Sequence, residues 1–249
     1  MKLISLNTWV GRVGKEELLN FFKKYNNVDI FCLQEVWEGG HQYAKKYDSH
    51  PPIASTTLAT DIGKVLDNHV AFFRPWMQDW AGQAIFIKKD IKILEEGELF
   101  VHKTKEDVWD LEDANHARNL QYITFETSKG LRTIANFHGL WNGQGKDDTQ
   151  ERLLQSDNIA NFLKGIKNPH ILCGDFNLLP ETKSLKKIED LGLKNLIKEF
   201  NITSTRSSHY KKPLKFADYT FVSPDITVNE FKMLPDEVSD HLAMYLDFE

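Results

Sequence analysis

The sequence is poor in cysteine. Cys32 and Cys173 are the two in 249 residues, and neither belongs to a CxxC pair. That excludes a disulfide scaffold and argues against a zinc or redox motif. Each cysteine sits in an apolar run, DIFCLQ or HILCGD, and buried free thiols suit a reducing compartment. No stretch reaches the roughly 18 apolar residues of a membrane span. Asn7 interrupts the N-terminus too early for a secretory apolar core. The expectation is a soluble, cytoplasmic monomer with no obligate protein partner.

An excess of positive charge is also lacking. Lys and Arg total 31 against 36 Asp and Glu, a net charge of −5. A protein that coats duplex nucleic acid by bulk charge is usually strongly basic, although a local basic groove is compatible with this balance. Repeats, low-complexity tracts and Pro/Gly/Ser linkers are absent, so residues 1–249 read as one domain. At 41% hydrophobic and 27% charged, the chain is neither disordered nor collagenous. A chain of this length buries roughly 70–75% of its unfolded surface.

What is present is a series of short apolar strands with helices between them. Strands are expected at Lys2–Asn7, Ile30–Glu35, Val70–Phe73, Gln83–Ile87, Ile91–Phe100, Asn119–Phe125, Arg132–Asn136, His170–Gly174, Tyr219–Val222, Ile226–Met233 and Leu242–Phe248. Leu18, Phe21, Phe22 and Tyr25 recur at helical spacing. Thr149–Leu163 reads as a helix, and Lys183–Phe200 as one or two surface helices. Residues 48–68 read as irregular, with Pro51 and Pro52 as breakers. This pattern predicts two sheets packed face to face, with helices outside.

The informative residues stand where the strands stop. Asn7 ends the first, Glu35 the second, His138 follows RTIANF, and Asp175 and Asn177 follow HILCG. Asp218 opens ADYTFV, and Asp240 and His241 precede the last strand. Carboxylates and amides without a thiolate suit a hard cation such as Mg²⁺ or Mn²⁺. Imidazoles and amides can hold phosphate oxygens, and a carboxylate can deprotonate water. These are the parts of metal-assisted phosphoester hydrolysis. Asp175 and Asn177, two apart, would face one side of an extended segment. Taken singly, each residue has an ordinary structural reading as a turn former, a solvated carboxylate or a core histidine.

The motifs LNTW, LQEVW, NFHGLW, CGDFNLLP, FADYTFVS and VSDHLA, in this order, resemble the endonuclease/exonuclease/phosphatase superfamily over nearly the whole chain. The resemblance implies a four-layer α/β/β/α sandwich with two mixed sheets. It implies Glu35 as principal Mg²⁺ ligand, with Asn7 and Asp240 beside the metal. It implies Asp175 as the group that activates water and Asn177 as its partner in stabilising the transition state. His241 and His138 would hold the phosphate, and Asp218 would orient His241. Abasic-site endonucleases do not usually show a histidine motif like that of His138. LNTW and LQEVW are also similar to the sphingomyelinase branch.

The expected activity is Mg²⁺-dependent hydrolysis of a phosphodiester, with nucleic acid or a nucleotide favoured as substrate. A phospholipid or sugar phosphate is the alternative substrate, and a catalytically silent binding module is the rival from another class. Trp9, Trp37 and Trp141 lie within three residues of Asn7, Glu35 and His138. Packing beneath the motif loops is the first expectation for them, and rimming the site the second. FFRPWMQDW, with Pro75 breaking a strand, reads as an exposed aromatic loop or a cover over the core. The basic stretch from Lys183 to Lys215 reads first as a solvated face and second as a contact for a polyanion. Arg118, in NHARNL, is a candidate to reach a phosphate, with an ordinary surface ion pair as an equal alternative.

Overall fold

The computed structural model describes residues 1–41, 55–107 and 115–249. One six-stranded sheet runs β11 (Val228–Met233), β12 (Met244–Phe248), β1 (Lys2–Asn7), β2 (Ile30–Trp37), β4 (Ala81–Lys88), β3 (His69–Met77). The other runs β5 (Ile93–His102), β6 (Arg118–Thr127), β7 (Gly130–His138), β8 (His170–Asp175), β10 (Asp218–Val222), β9 (Lys194–Asn195). Both are mixed. β1 pairs parallel with β2, and β7 with β8, and every other pairing is antiparallel.

Strand periodicity explains how the layers stack. Alternate side chains of a strand point to opposite faces. Leu3, Ile30 and Cys32 enter the core between the sheets. Their neighbours Ile4, Phe31 and Leu33 pack outward against α1 (Lys15–Lys24) and α2 (Leu58–Val65). On the other sheet lie α3 (Gln150–Gly165), α4 (Lys183–Glu189) and the short α5 (Leu196–Glu199). α1 carries Glu16 and Glu17 in its first turn and Lys23 and Lys24 in its last, which complements the helix dipole. Thr149 caps α3 by accepting a hydrogen bond from the Arg152 backbone N–H at 3.3 Å.

Two expectations need correction. The segment read as irregular contains α2, whose Leu58, Ala59 and Ile62 bury one face. Residues 42–54, with Pro51 and Pro52, lie outside the described residues. Pro75 does not break its strand. β3 is an edge strand, where a missing N–H is tolerated, and the chain answers with a register shift between Pro75 and Met77. FFRPWMQDW is therefore mostly strand, and its Trp76 and Trp80 are buried at 6% and 7% exposure.

The topology positions the site. α1 crosses from β1 to β2 and α3 from β7 to β8. The two parallel pairs stop at the same end of the sandwich, where Asn7 of β1 meets Asp175 of β8. Asn7, His138 and Asp175 close their strands, and Glu35 lies two residues before the end of β2. β10 is antiparallel to β8 with Asp218 opposite Asp175, so its first residue joins the same end.

Candidate active site

The strand ends enclose a cleft of about 480 Å³ among the described residues, a size that takes small ligands. Glu35, Asp175 and Asp240 supply its carboxylates, and His116, His138 and His241 its imidazoles. Arg12, Arg118, Lys146, Arg206 and Lys212 add positive charge, and Trp9, Trp37, Trp76 and Trp141 line it. The tryptophans of the motif loops thus face the cleft rather than only packing beneath the loops. Trp109 lies outside the described residues.

Local backbone geometry turns these groups inward. Glu35 has φ +52°, at a register shift of β2 between Leu33 and Val36. Thr8 secures that bulge by donating its hydroxyl to the Glu35 carbonyl at 2.7 Å. Trp9, Val10 and Asn177 also have positive φ. Such conformations cost of order 1–3 kcal/mol each and cluster at functional sites. Asn177 therefore does not extend β8. The chain turns, and the Asn177 N–H donates to Asp175 Oδ1 at 2.9 Å. Its side-chain amide donates to the Gly139 carbonyl at 3.3 Å.

Hydrogen bonds connect the two sheets here. The amide nitrogen of Asn7 donates to Glu35 Oε1 at 3.2 Å and to Asp175 Oδ2 at 3.0 Å. Its amide oxygen accepts from the Trp9 N–H at 2.9 Å. In this orientation Asn7 spaces the carboxylates and offers them no oxygen. His241 Nδ1 lies 2.9 Å from both oxygens of Asp218, and its Nε2 is 3.6 Å from Asp175 Oδ2. Arg206 donates to Asp240 Oδ2 at 2.9 Å, contacts His241 Nε2, and stacks 4.1 Å from the Tyr210 ring centre.

Arg118 is no surface ion pair. It is 3% exposed, donates Nε to the Gly139 carbonyl at 3.0 Å, and lies 4.3 Å from the Trp76 ring centre. In the basic stretch from 183 to 215, Lys186, Lys187 and Lys198 form surface ion pairs. Arg206, its side chain buried, and Lys212, exposed, line the cleft instead. Arg206 and Lys212 belong to the basic run just before Asp218, for which contact with a polyanion is the second expectation. Lys146 lies in a loop without periodicity, and only its contacts reveal it. Trp76 carried a signal, since it stands in the aromatic segment around Pro75.

Burial sets the electrostatics. It lowers the His138 pKa to about 3, with Arg118 adding to the effect. His138 is therefore neutral, and its 3.7 Å approach to Glu35 is not an ion pair. Burial would lower His241 as well, but Asp218 opposes it and the net shift is upward. For Asp175, burial is outweighed by the charges of His241 and Lys146, which hold its carboxyl well below the usual range. Burial and then Asp240 push Glu35 up, and burial brings Arg118 down to about 10.

The donor set fits a hard divalent cation. One buried group, Asp175, Asp218 and His241, has ligand atoms within 4.8 Å of one another. Asp218 in it already accepts from His241. Asp240 Oδ1 is buried without a hydrogen-bond partner among the described residues. Glu35 is raised by burial and then by the charge of Asp240, the second of which a cation would relieve. The donors are oxygens and imidazole, with no thiolate, as a hard or borderline ion prefers.

Solved structures share this fold. An endonuclease/exonuclease/phosphatase family protein from Bacteroides thetaiotaomicron matches with TM-score 0.76 at 19% identity, over 100% of this chain and 97% of that one. The mannosyl-6-phosphatase of Bacteroides thetaiotaomicron VPI-5482 matches with TM-score 0.74 at 19% identity, over 100% and 99%. The human Nocturnin catalytic domain with bound sulfate matches with TM-score 0.67 at 20% identity, over 100% and 93%. No curated protein matches the chain. The signature of the Endonuclease/Exonuclease/phosphatase family matches residues 4–241, nearly the whole sandwich and every strand end that lines the cleft. The chain belongs to this family of metal-dependent phosphoesterases.

Proposed function

We propose that the chain hydrolyses a phosphodiester of a nucleotide or single-stranded nucleic acid, using Mg²⁺ or its substitute Mn²⁺. The observation that carries this reading is the cleft itself, with carboxylates and imidazoles at the strand ends and Trp9, Trp37, Trp76 and Trp141 around them. Indole faces stack on bases at a gain of about 1–3 kcal/mol per base. A cleft of about 480 Å³ suits a small ester better than a duplex.

Glu35 and Asp240 would hold the cation, with Asn7 fixing Glu35 and Asp175 relative to each other. The cation would polarise the phosphoryl group. Asp175 would orient and deprotonate the water for in-line attack. Asn177, His241 and Arg118 would offset charge growing on the phosphoryl oxygens, and neutral His138 would donate a hydrogen bond there. Asp218 would keep His241 charged and aligned. The buried free thiols of Cys32 and Cys173 support the cytoplasm as the site of action, and a monomer suffices for the chemistry.

A sugar phosphate is the second reading, favoured by the mannosyl-6-phosphatase that this chain matches over its full length. Tryptophan faces also pack on sugar rings. A phospholipid is the remaining reading, and no described helix is long and apolar enough to cross a membrane. The test is a panel of single-stranded DNA, RNA, a dinucleotide, mannose 6-phosphate, sphingomyelin and an aryl diester, assayed with Mg²⁺, Mn²⁺ and EDTA. The fastest turnover is expected on the nucleotide diesters. Faster turnover of mannose 6-phosphate would replace this reading with the sugar phosphate.

A further inference from the structure

The flank of the cleft beside β10 and β12 carries positive charge that the proposed chemistry leaves unused. Lys146 is 2% exposed, and its Nζ donates to the Phe216 carbonyl at 3.2 Å. It forms no ion pair among the described residues. Arg206 gives one nitrogen to Asp240, while its Nε is buried with no hydrogen-bond partner among the described residues. Tyr210 stands against both cations, its ring centre 5.8 Å from Lys146 Nζ and 4.1 Å from the Arg206 guanidinium. Lys212 is exposed, with its Nζ 5.5 Å from the Trp141 ring centre. All of these side chains line the cleft.

Burying an ammonium without a counter-charge costs free energy. Burial accordingly brings Lys146 down to about 8, even with Asp175 opposing it. A bound anion would recover that cost. The phosphoryl group being cleaved already has Asn177, His138, His241 and Arg118. Arg118 enters the cleft from the start of β6, whereas Lys146, Arg206 and Lys212 lie on its β10 side. Arg206 also meets His241 Nε2, so an anion held there would adjoin the phosphoryl group being cleaved.

We propose that Lys146, Arg206 and Lys212 form a second anion subsite, which binds a phosphate group that the substrate carries in addition to the ester that is cleaved. This rests on the phosphoesterase reading of the strand ends and names a feature of its substrate: two anionic groups, one of them not hydrolysed. Lys146 closes the inner end of the subsite and Lys212 guards its mouth.

The test uses tryptophan fluorescence, since four indoles line the cleft. The Mg²⁺-loaded protein is titrated with methylphosphonate and with propane- and butane-diphosphonate, none of which is hydrolysed. The better diphosphonate is expected to bind about tenfold tighter than methylphosphonate. Lys146→Met should remove that gain and leave methylphosphonate affinity within about twofold, while Lys146→Arg should keep the gain. Equal weakening of both probes by Lys146→Met, or no preference in the wild type, would overturn the subsite. If Lys146→Met does not fold, Lys212→Ala decides at an exposed position. A loss confined to the diphosphonate supports the subsite, and its absence contradicts it. Failure of turnover across the substrate panel with the diphosphonate preference intact would count against the proposed reaction and not against the subsite.

Discussion

Both carboxylate oxygens of Asp218 lie 2.9 Å from Nδ1 of His241, so one imidazole edge is committed to a buried acid and the other is turned to the cleft. The pair joins the sheets, because Asp218 opens β10 and His241 precedes β12. Without Asp218, burial acts on His241 with its principal counter-charge gone. Asp218→Asn should reduce kcat about 10²-fold. In the metal-free protein it should also bring the His241 pKa below its ordinary value, read by NMR titration. An unchanged titration would show that Asp218 does not hold the charge.

Asn7 separates two carboxylates by donating to each. Asn7→Asp would set a third acid in that position. The metal-free variant should lose about 2–4 kcal/mol of stability to urea. Mg²⁺ should raise its Tm by more than it raises that of the wild type, because binding to the native state offsets the repulsion. Equal shifts in the two proteins would contradict this account of Asn7.

Gly139 keeps the ends of β7 and β8 together. A Cβ at Gly139 would meet the Phe176 carbonyl oxygen at 2.2 Å. Gly139→Ala should therefore destabilise by about 3 kcal/mol or more, and it should displace Arg118 and Asn177, which both donate to the Gly139 carbonyl. Gly143 has φ +74° and open space around it, so Gly143→Ala should cost only the left-handed backbone penalty, about 1–2 kcal/mol. Urea denaturation of the two variants distinguishes the cases.

His138 predicts an acid-side loss of stability. Its pKa is about 3 in the folded protein against an ordinary 6.5. Between those values the unfolded chain binds a proton that the folded chain does not, so stability falls as pH falls through this window. The contribution at pH 5 is about 2 kcal/mol relative to neutral pH. In EDTA, wild type should therefore lose about 2 kcal/mol more than His138→Gln between pH 7 and pH 5. Parallel losses would show that His138 does not resist protonation.

The strand ends were legible because apolar runs announce themselves and the polar residue that stops each one stands out. That is how Asn7, Glu35, His138, Asp175 and Asp218 could be placed together before any coordinates. The positive φ at Glu35 and Asn177 was hidden, since neither position is a glycine and the strain is imposed by neighbours such as Thr8. Lys146 was illegible as a cleft residue for another reason. It lies against Tyr210 and the Phe216 carbonyl, which are distant in sequence. Arg206 carried a signal, since it stands in the basic run just before Asp218. Pro75 misled because a local rule for strands gave way to the position of β3 at the sheet edge.

The most direct test of the account is hydrolysis of thymidine 5′-(p-nitrophenyl phosphate) by wild type and Asp175→Asn, each with Mg²⁺ and with EDTA. Asp175→Asn is close in shape and loses the charge that activates water. The account predicts Mg²⁺-dependent release of p-nitrophenol by wild type and a loss of about 10³-fold or more in the variant. Turnover that survives Asp175→Asn, or that is indifferent to EDTA, would contradict it.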